Sequence, residues 1–361
     1  MKIGFDAKRY FRNKTGLGNY SRTLIDGLIE HYPNHDYHVF SSSRNVTAPE
    51  GAELETPPRF SLFWRQIGSA IRIDKRKLNI YHGLSAELPI GKTKAKQVVT
   101  IHDLIFQKYP EYYKPIDRYI YARKTAAALS QADIIIASSE RTKQDIIDIS
   151  PRFHNKTEVV YQDCAPQFYA KLKNDDLKAF RSKYNLPDAY LVSVCKFEKR
   201  KNHLRLLQAY LTKKDELPHL LLVGRKGDTY STVKQFIKDN GLHKNVSIVS
   251  DMPSEELVAA YQGSIASVFL SEYEGYGIPV AESMACGKPV LTSLGSSMEE
   301  ICGSSGLCVN PLSIEDITKG LMDIANKETI EKLRAHIDVE KQKFSNALIL
   351  EQHINIYNKL L

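Results

Sequence analysis

The sequence predicts an α/β fold with two domains, each built around a parallel sheet. Short β-rich runs alternate with helical patterns of about 10–15 residues, and this alternation is typical of parallel sheets. The alternation occurs once in the first half of the chain and again in the second half. At 361 residues the chain is long enough for two domains of ordinary size. These observations imply two Rossmann-like domains.

The β-rich runs divide evenly between the two halves, with six in each, and helical patterns lie between them in both halves. Strands are predicted in the first half at Lys2–Asp6, Tyr37–Phe40, Asn79–His82, Gln97–Ile101, Ile134–Ala137 and Glu158–Tyr161. Strands are predicted in the second half at Tyr190–Val194, His219–Val223, Val246–Val249, Ser267–Leu270, Pro289–Thr292 and Gly306–Val309. Helices are predicted at Asn19–Glu30, Arg118–Ser130, Asn202–Leu211, Tyr230–Asn240, Ser254–Gln262, Pro279–Cys286 and Ile314–Asn326.

The boundary between the two domains is predicted near residue 165, where Asp163-Cys164-Ala165-Pro166 interrupts the alternation. The first domain is therefore assigned to residues 1–165 and the second to residues 166–337, and residues 338–361 form a long helical segment. Open α/β sheets bind ligands beyond the carboxyl ends of their strands. We expect the ligand site at those ends, in a cleft between the domains.

Composition and charge limit the class of protein. An apolar share of 42% with 25% charged residues is ordinary for a globular chain, and no segment approaches the ~20 apolar residues of a membrane helix. The five cysteines lack metal-ligand spacing and are predicted to be reduced packing residues. Residues 1–165 hold 25 Lys/Arg against 18 Asp/Glu, which is +7 of the net charge of +8.

Two basic stretches with interleaved aromatic residues supply most of that charge, Arg59–Lys77 and Lys92–Lys124. Each is consistent with an ordinary solvated helix face. They are also consistent with a first domain that meets an anionic acceptor or an anionic membrane surface.

The most informative motif places two carboxylates, Glu274 and Glu282, eight positions apart across a Gly-rich turn that leads into a helix. The backbone amides of Gly275, Tyr276 and Gly277 are then expected at the helix N-terminus, a ready site for phosphate. Carboxylates accept paired hydrogen bonds from vicinal hydroxyls. The layout suits a ligand with phosphate in the middle and polyols at both ends. Nucleotide sugars have that form.

This motif, which ends in Pro-Val-Ala-Glu-Ser-Met-Ala-Cys-Gly-Lys-Pro-Val, resembles the donor-site signature of the retaining glycosyltransferases of family 4, also called glycosyltransferase group 1. The resemblance covers essentially the whole chain and is densest over residues 190–311. It implies a GT-B fold, with the acceptor on residues 1–165, the nucleotide-sugar donor on residues 166–337, and residues 338–361 crossing back to the first domain. It also implies that Glu282 holds ribose hydroxyls, that Glu274 holds hydroxyls of the donor sugar, and that the anomeric configuration is retained.

The Gly-rich segment Lys14–Tyr20 follows the first predicted strand. It contains the first part of a dinucleotide fingerprint, but Ser21 replaces the third glycine and the segment starts too far from the strand. In the resembled family such a loop faces the donor diphosphate. Gly16 and Gly18 are therefore assigned to donor binding, and Asn19 is expected to cap the next helix. The alternative is a plain connector.

His102 and Asp103 follow the apolar strand that ends at Ile101, where active-site groups of α/β sheets lie. The pair matches the His-Asp-Leu motif of the resembled family, whose histidine lies close to the transferred sugar. A neutral His102 could hydrogen-bond a sugar hydroxyl, and it is the catalytic histidine of this interpretation. Asp103 is assigned to the acceptor or to orienting His102. A lone histidine is otherwise more often structural.

The loop Cys195–Asn202 follows a predicted strand and resembles the family's loop that ends in Arg-Lys-Asn. Lys196, Arg200 and Lys201 are therefore candidate ligands of the donor phosphates. No Asp-x-Asp occurs in the sequence, so no metal is expected, and Arg200 and Lys201 would stabilise the departing diphosphate together with the helix terminus. The alternative is a solvated basic patch.

These features together predict a metal-independent, retaining glycosyltransferase. It would move a hexosyl group from GDP-mannose or a UDP-sugar to a sugar hydroxyl of a saccharide or lipid-linked saccharide, in cell-surface polysaccharide or glycolipid assembly. No cofactor and no nucleic-acid partner are expected. The expected location is the cytoplasm, at the inner face of the cytoplasmic membrane. Two alternatives stay open: a non-hydrolysing sugar-nucleotide epimerase, which needs no acceptor, and a basic nucleic-acid-binding protein, whose binding would weaken with salt.

Overall fold

The computed structural model describes residues 1–13, 16–58 and 64–361. The chain divides into two compact units. The first unit contains Met1–Asp163 and Phe344–Leu361, and the second contains Cys164–Lys343.

The described residues of the first unit form seven strands and seven α-helices. Its strands are β1 Lys2–Asp6, β2 Asp36–Phe40, β3 Ala52–Glu55, β4 Ile80–Gly83, β5 Lys96–Ile101, β6 Ile134–Ala137 and β7 Thr157–Val159. Its helices are α1 Lys8–Arg12, α2 Gly16–His31, α3 Ser69–Arg76, α4 Ile105–Lys108, α5 Pro115–Gln131, α6 Glu140–Ile149 and, far along the chain, α16 Asn346–Lys359. A π-helical turn, Trp64–Gly68, leads into α3.

The second unit holds six strands and nine α-helices. Its strands are β8 Tyr190–Val194, β9 His219–Val223, β10 Val246–Val249, β11 Ala266–Phe269, β12 Val290–Ser293 and β13 Gly306–Val309. Its helices are α7 Asn174–Lys183, α8 His203–Thr212, α9 Tyr230–Asp239, α10 Ser254–Gly263, α11 Ile278–Ala285, α12 Ser297–Cys302, α13 Ile314–Ala325, α14 Lys327–Arg334 and α15 Ile337–Glu340.

Both sheets are parallel, and each reverses its strand order once. The first sheet has the order β3-β2-β1-β4-β5-β6-β7, and the second has the order β10-β9-β8-β11-β12-β13. Successive strands therefore spread outward from β1 and then from β4, and likewise from β8 and then from β11. The carboxyl ends of β1 and β4, and those of β8 and β11, flank the switch points where open α/β sheets bind ligands.

Burial of β-rich runs drives this arrangement. Strands β1, β4, β6, β8 and β11 are almost continuously buried, as expected for parallel strands covered by helices on both faces. Six strand predictions are confirmed to the residue: Lys2–Asp6, Ile134–Ala137, Tyr190–Val194, His219–Val223, Val246–Val249 and Gly306–Val309. The remaining predicted strands differ by a residue or two at their ends.

Strand β3 was missed, and its composition explains why. Ala52-Glu53-Leu54-Glu55 lacks the β-branched and aromatic residues that mark a strand, and it lies at the edge of the sheet. Glu55 is 2% exposed on this edge and pairs with Arg76 and with Arg72 at 3.4 Å. Charge pairing replaces apolar packing at this position.

Residues 338–343 belong to the second unit, whereas the sequence analysis grouped them with the following helix. Glu340 accepts a hydrogen bond from the Ser304 amide at 2.9 Å, and Ile337 is buried, so α15 is anchored beside residues 303–305. Residues 341–344 form a 3₁₀ turn, and α16 then belongs to the first unit.

Helix α16 completes the core of the first unit through a buried polar network. Tyr357 bonds Nδ1 of His82 at 2.7 Å, and Nε2 of His82 bonds Thr100 at 2.8 Å. The Tyr20 hydroxyl lies 3.0 Å from Thr100 and 3.4 Å from Nε2 of His353. All five side chains are at least 95% buried, so each polar atom depends on its partner in this network. Among the described residues, no helix combines the length and the apolar character needed to cross a bilayer.

Candidate active site

The predicted donor residues follow two neighbouring strands at the switch point of the second sheet. The loop after β8 carries Arg200 and Lys201, and the loop after β11 carries Glu274. Residues 199–201 form a 3₁₀ turn, and Asn202 in a left-handed conformation (φ 63°) starts α8. The structure therefore brings these charged side chains together, although more than 70 positions separate them.

Glu274 receives both cations on one oxygen. Arg200 Nη1 lies 2.8 Å from Glu274 Oε1, and Lys201 Nζ contacts the same oxygen. The three side chains are between 11% and 19% exposed. Burial raises the pKa of Glu274, but Lys201 and Arg200 outweigh this effect and bring the pKa down to about 2. Glu274 is therefore ionised throughout the physiological range, and the three side chains are called here the Glu274 cluster.

Lys196 reaches this cluster only through Glu198. Its ammonium pairs with Glu198 at 2.7 Å and its side chain is half exposed, while Glu198 also pairs with Arg200 at 3.3 Å. Lys196 thus lies at the solvent side of the loop, and Glu198 is a second carboxylate that holds Arg200.

Glu282 lies in the second turn of α11 and has a different environment. Its Oε2 accepts a hydrogen bond from the Tyr261 hydroxyl of α10 at 2.9 Å. Burial raises the pKa of Glu282 to about 7, against the smaller opposing effect of the Tyr261 hydrogen bond. Two carboxylates of one motif therefore have pKa values far apart, because cationic neighbours outweigh burial at Glu274 whereas burial dominates at Glu282.

The glycine turn before α11 is tightly packed. Gly277 has φ +111°, and a Cβ at this position would lie 2.6 Å from Met298 Cγ of α12. Gly275 and Tyr276 are buried beside it, and Pro279 occupies the first turn of α11, as predicted from the sequence. The Ser297 hydroxyl donates to the Glu274 carbonyl at 2.9 Å and fixes the start of the turn.

His102 is fixed in one tautomer within the first unit. Its Nε2 donates to the Leu84 carbonyl at 2.8 Å, and its Nδ1 accepts from Gln162 at 2.8 Å. The Tyr20 ring packs edge-on against the imidazole, with ring centroids 4.8 Å apart. Burial lowers the pKa of His102 to about 4. The imidazole is therefore neutral, and both ring nitrogens are engaged.

Asp103 supports the chain after His102. Its Oδ1 accepts a hydrogen bond from the Ile105 amide at 3.2 Å, at the start of α4. The His102 carbonyl accepts from Ser138 at 2.7 Å. One local contact and one contact from Ser138, which follows β6, therefore hold the backbone of the His-Asp-Leu motif.

The predicted Gly-rich loop is helical over its described residues. Gly16 and Gly18 lie in the first turn of α2, whereas Lys14 and Thr15 are outside the described residues. A Cβ on Gly18 would lie 1.8 Å from the Asn13 carbonyl oxygen, so the glycine permits close packing of α2 on the turn after α1. The expected loop was wrong at these positions because this packing extends the helix toward the N-terminus.

Asn19 does not cap α2, contrary to the prediction. It lies inside the helix, and its Oδ1 accepts from Arg22 Nη2 at 2.6 Å. Arg22 Nη1 also donates to the carbonyls of Tyr10 and Asn13, each at 2.9 Å. Arg22 thus braces the turn between α1 and α2, where the side chain of Asn19 serves as one of its acceptors.

Sequence reasoning missed four residues that set the site's geometry: Tyr20, Gln162, Tyr261 and Ser297. Each contacts a predicted site residue from a distant part of the sequence, so motif spacing could not have predicted it. Only Gln162 could have been partly predicted, from its position at the end of a strand. Gln162 follows β7, whose carboxyl end lies on the same edge of the sheet as that of β5.

One group of potential metal ligands occurs within the described ranges: His38, Glu53 and Glu55. Arg76 pairs with both carboxylates, and the Arg72 guanidinium lies 3.4 Å from Glu55. Arginine already supplies the positive charge at this group, so it is best described as an ion-pair cluster.

Two family models match the chain and together span most of it. The model described as Glycosyltransferase Family 4 matches residues 14–162, and the model described as Glycosyl transferases group 1 matches residues 175–344.

Curated relatives and solved structures agree with these models. O-antigen chain mannosyltransferase B of Escherichia coli is 28% identical over 385 aligned positions, covering all of both chains. The longer serotype-specific mannosyltransferase WbdA of Escherichia coli is 28% identical over 77% of this chain and 35% of its own length. The sucrose-phosphate synthase of Thermosynechococcus elongatus superposes with a TM-score of 0.76 at 18% identity, covering 100% of this chain and 99% of that one. Anabaena HepE, solved with UDP and glucose, superposes with a TM-score of 0.74 at 16% identity, covering 99% and 100%.

Proposed function

Because the chain belongs to the group 1, family 4 glycosyltransferases and has their GT-B fold, we propose that it transfers a mannosyl group from a nucleotide sugar to a saccharide hydroxyl. The curated mannosyltransferases among its relatives support mannose as the sugar, with GDP-mannose as the first donor to test and a UDP-sugar as the second. The likeness to O-antigen chain mannosyltransferase B supports a role in cell-surface polysaccharide assembly.

The convergence of Arg200 and Lys201 on Glu274 carries this proposal. Two cations held beside a buried carboxylate, at the carboxyl ends of β8 and β11, suit a diphosphate that gains charge as it departs. Arg200 can contact two phosphate oxygens, and Lys201 supplies a compact charge. Glu274 holds both cations in place, and hydroxyls of the donor sugar would bind to its carboxylate. The gathering of cations also supports a donor site without a metal.

Glu282 would hold the ribose of the donor. Its carboxyl sits one turn into α11, and Tyr261 fixes only one of its oxygens, Oε2. Two vicinal hydroxyls donating to Glu282 would favour its charged form and lower its pKa on binding.

In the proposed transfer the bond between the anomeric carbon and the diphosphate oxygen breaks, and the electron pair stays on the diphosphate. The acceptor hydroxyl attacks from the face that the diphosphate leaves, so the configuration is retained. The hydroxyl proton passes to the departing diphosphate oxygen. The neutral His102 then serves to orient a sugar hydroxyl, since a group with a pKa of about 4 is a weak base.

The test is release of nucleoside diphosphate from GDP-mannose and from UDP-sugars, with and without a mannose-containing acceptor. Transfer that depends on the acceptor is expected, and conversion of the donor without acceptor would instead identify an epimerase. Lys201→Ala is expected to lower kcat/KM at least about tenfold, which is ~1.4 kcal/mol of transition-state stabilisation. Lys199→Ala is the matched control, since Lys199 lies in the same turn with an exposed side chain. Equal rates for the two variants would remove Lys201 from the mechanism.

An anionic membrane surface is proposed as a partner of the first unit. The N-terminal half of α5 is nearly all exposed, including Ile116 at 63% and Tyr119 at 60%. Arg118 and Arg123 lie on the same exposed stretch. Apolar side chains flanked by cations suit the headgroup region of an anionic bilayer, where lipid-linked saccharides are found. We propose that the enzyme works in the cytoplasm, at the inner face of the cytoplasmic membrane. Of the two basic stretches, residues 59–63 lie outside the described part of the chain.

A further inference from the structure

The switch point of the first sheet holds an ion-pair chain. Asp6, at the end of β1, pairs with Arg65 at 2.6 Å, and Arg65 pairs with Glu87 at 2.6 Å. Lys124 completes the chain by pairing with Glu87 at 2.9 Å. Arg65 therefore pairs with both acids, and Lys124 pairs with Glu87 as well.

Lys8 and Arg9 lie next to this chain without partners. Across residues 1–13, 16–58 and 64–361, neither the Lys8 ammonium nor the Arg9 guanidinium makes a hydrogen bond or ion pair, and Arg9 Nε is buried with no acceptor. Burial and the positive charge of Arg65 lower the pKa of Lys8, despite the opposing attraction of Glu87. A desolvated cation without a partner destabilises the folded chain unless something else compensates its charge.

The position of these two cations ties them to the candidate active site. They follow β1, and Leu84, whose carbonyl accepts from His102, follows β4 on the other side of the switch point. The two cations and the backbone that holds His102 therefore follow neighbouring strands of the first sheet. The charge of Arg9 also contributes to the low pKa of His102.

We propose that Lys8 and Arg9 form a phosphate-binding subsite of the first unit, a site that rests on the glycosyltransferase function proposed above. Four cations (Lys8, Arg9, Arg65 and Lys124) face two acids, which leaves two positive charges. A diphosphate supplies the matching negative charge, and the arginine fork and the lysine ammonium suit its oxygens. A diphosphate can come from a lipid-linked acceptor or from the nucleotide-sugar donor, and both have the same chemistry.

Kinetics with matched acceptors distinguish the two sources. The variants are Lys8→Met and Arg9→Gln, singly and together, with Arg12→Gln on the exposed side of the same helix as control. The acceptors are a saccharide linked through diphosphate to a lipid, and the same saccharide as an uncharged alkyl glycoside. If the acceptor supplies the phosphate, the double variant raises KM for the lipid-linked acceptor about tenfold or more, consistent with the loss of charge-assisted hydrogen bonds. KM for the glycoside and for the donor then stays unchanged. If the donor supplies it, KM for the donor rises with both acceptors.

Binding of inorganic pyrophosphate tests the subsite even if no transfer is found. Pyrophosphate is expected to shift the Cε1–H NMR signal of His102 in the wild type and in Arg12→Gln, and not in the double variant. The double variant is expected to melt no lower than the wild type, since it removes unpaired charges. A His102 signal that pyrophosphate leaves unmoved, or moves equally in the double variant, overturns the proposal. The proposal is also overturned if the double variant and Arg12→Gln have the same KM for the lipid-linked acceptor, for the alkyl glycoside and for the donor.

Discussion

The Gln162 amide donates a hydrogen bond to Nδ1 of His102 at 2.8 Å, and the Leu84 carbonyl accepts from Nε2 of the same ring. A sugar hydroxyl that donates to Nδ1 must therefore take the place of Gln162. Gln162 is the penultimate residue of the continuous part of the first unit, next to the point where the chain enters the second. It holds the histidine ready in the tautomer that a donating hydroxyl requires.

Replacing Gln162 is expected to change the titration of His102. In Gln162→Glu a carboxylate would face Nδ1 and favour the imidazolium, so the pKa of His102 should rise from about 4. Activity should then fall on the acid side of the pH profile, because the protonated ring can no longer accept from a hydroxyl. An NMR titration of His102 measures the shift. Gln162→Leu, which adds no charge, should lower kcat without raising this pKa, and an unchanged titration in Gln162→Glu would contradict the assigned contact.

Nucleotide binding is expected to depend on pH through Glu282. Burial raises the pKa of Glu282 to about 7, and ribose hydroxyls bind the charged form, so the affinity for nucleotide should increase as the pH rises. Below pH 7 the increase is at most about tenfold per pH unit for a single titrating group, and it levels off above pH 7. Calorimetry in two buffers of different ionisation enthalpy should detect a proton released on binding. Glu282→Gln should bind more weakly and without this pH dependence. If Glu282→Gln bound nucleotide with the same pH dependence as the wild type, the titrating group would not be Glu282.

Acid stability is expected to depend on Glu274. Its pKa falls from 4.5 to about 2 in the folded protein, so its contribution to the free energy of unfolding is present above pH 4.5 and is lost as the pH falls toward 2. Glu274→Gln leaves two partly buried cations without their counterion and should cost about 3 kcal/mol at neutral pH. Chemical denaturation at pH 7 and pH 3 measures both effects. A difference between the two proteins that does not shrink at pH 3 would show that Glu274 does not act through its charge.

Comparison of two glycines distinguishes the effect of backbone strain from that of a side-chain clash in the turn Gly275–Gly277, before α11. Gly277 and Gly91 share φ +111°, but only the added Cβ at Gly277 meets a neighbour, Met298. Each Gly→Ala variant should lose about 1–3 kcal/mol through its backbone conformation. Gly277→Ala should lose more than Gly91→Ala and should alone weaken nucleotide binding, because the turn that carries Glu274 must move. Thermal unfolding with and without nucleoside diphosphate compares them, and equal responses would argue against the proposed role of the turn.

Binding to membranes is expected to need both the charge and the apolar side chains of α5. Arg118→Glu with Arg123→Glu should reduce co-sedimentation with anionic liposomes, and Ile116→Ser with Tyr119→Ser should do so even at high salt. Lys327→Glu, on an exposed position of the second unit, is a control for net charge. If neutral and anionic liposomes retain the wild type equally at low salt, the electrostatic part of the proposal is wrong.

The sequence predicted much of the fold because parallel strands are buried on both faces and appear as apolar runs. Edge strand β3 escaped prediction because Glu55 is stabilised by arginines from α3. In the site, the glycines and acids of residues 274–282 and the basic residues 200 and 201 follow strands, so pattern and position indicated them. Tyr261 and Gln162 act through side-chain contacts across long sequence separations, and a single sequence records no such contacts. The loop expected at Gly16 and Gly18 is instead the start of α2, where Gly18 packs closely against Asn13, and a single sequence does not record that packing.

The membership of α16 in the first unit has a consequence for the order of folding during synthesis. The ribosome must make the whole of Cys164–Lys343 before Tyr357 and His353, the α16 partners of His82 and Tyr20, exist. Until then these buried groups have no complete hydrogen-bond network, and the first unit can only be partly formed. The second unit is continuous in sequence and can fold as soon as it emerges. Although nearly half of the chain precedes it, the second unit is then the first to reach its final structure, and release of α16 completes the other.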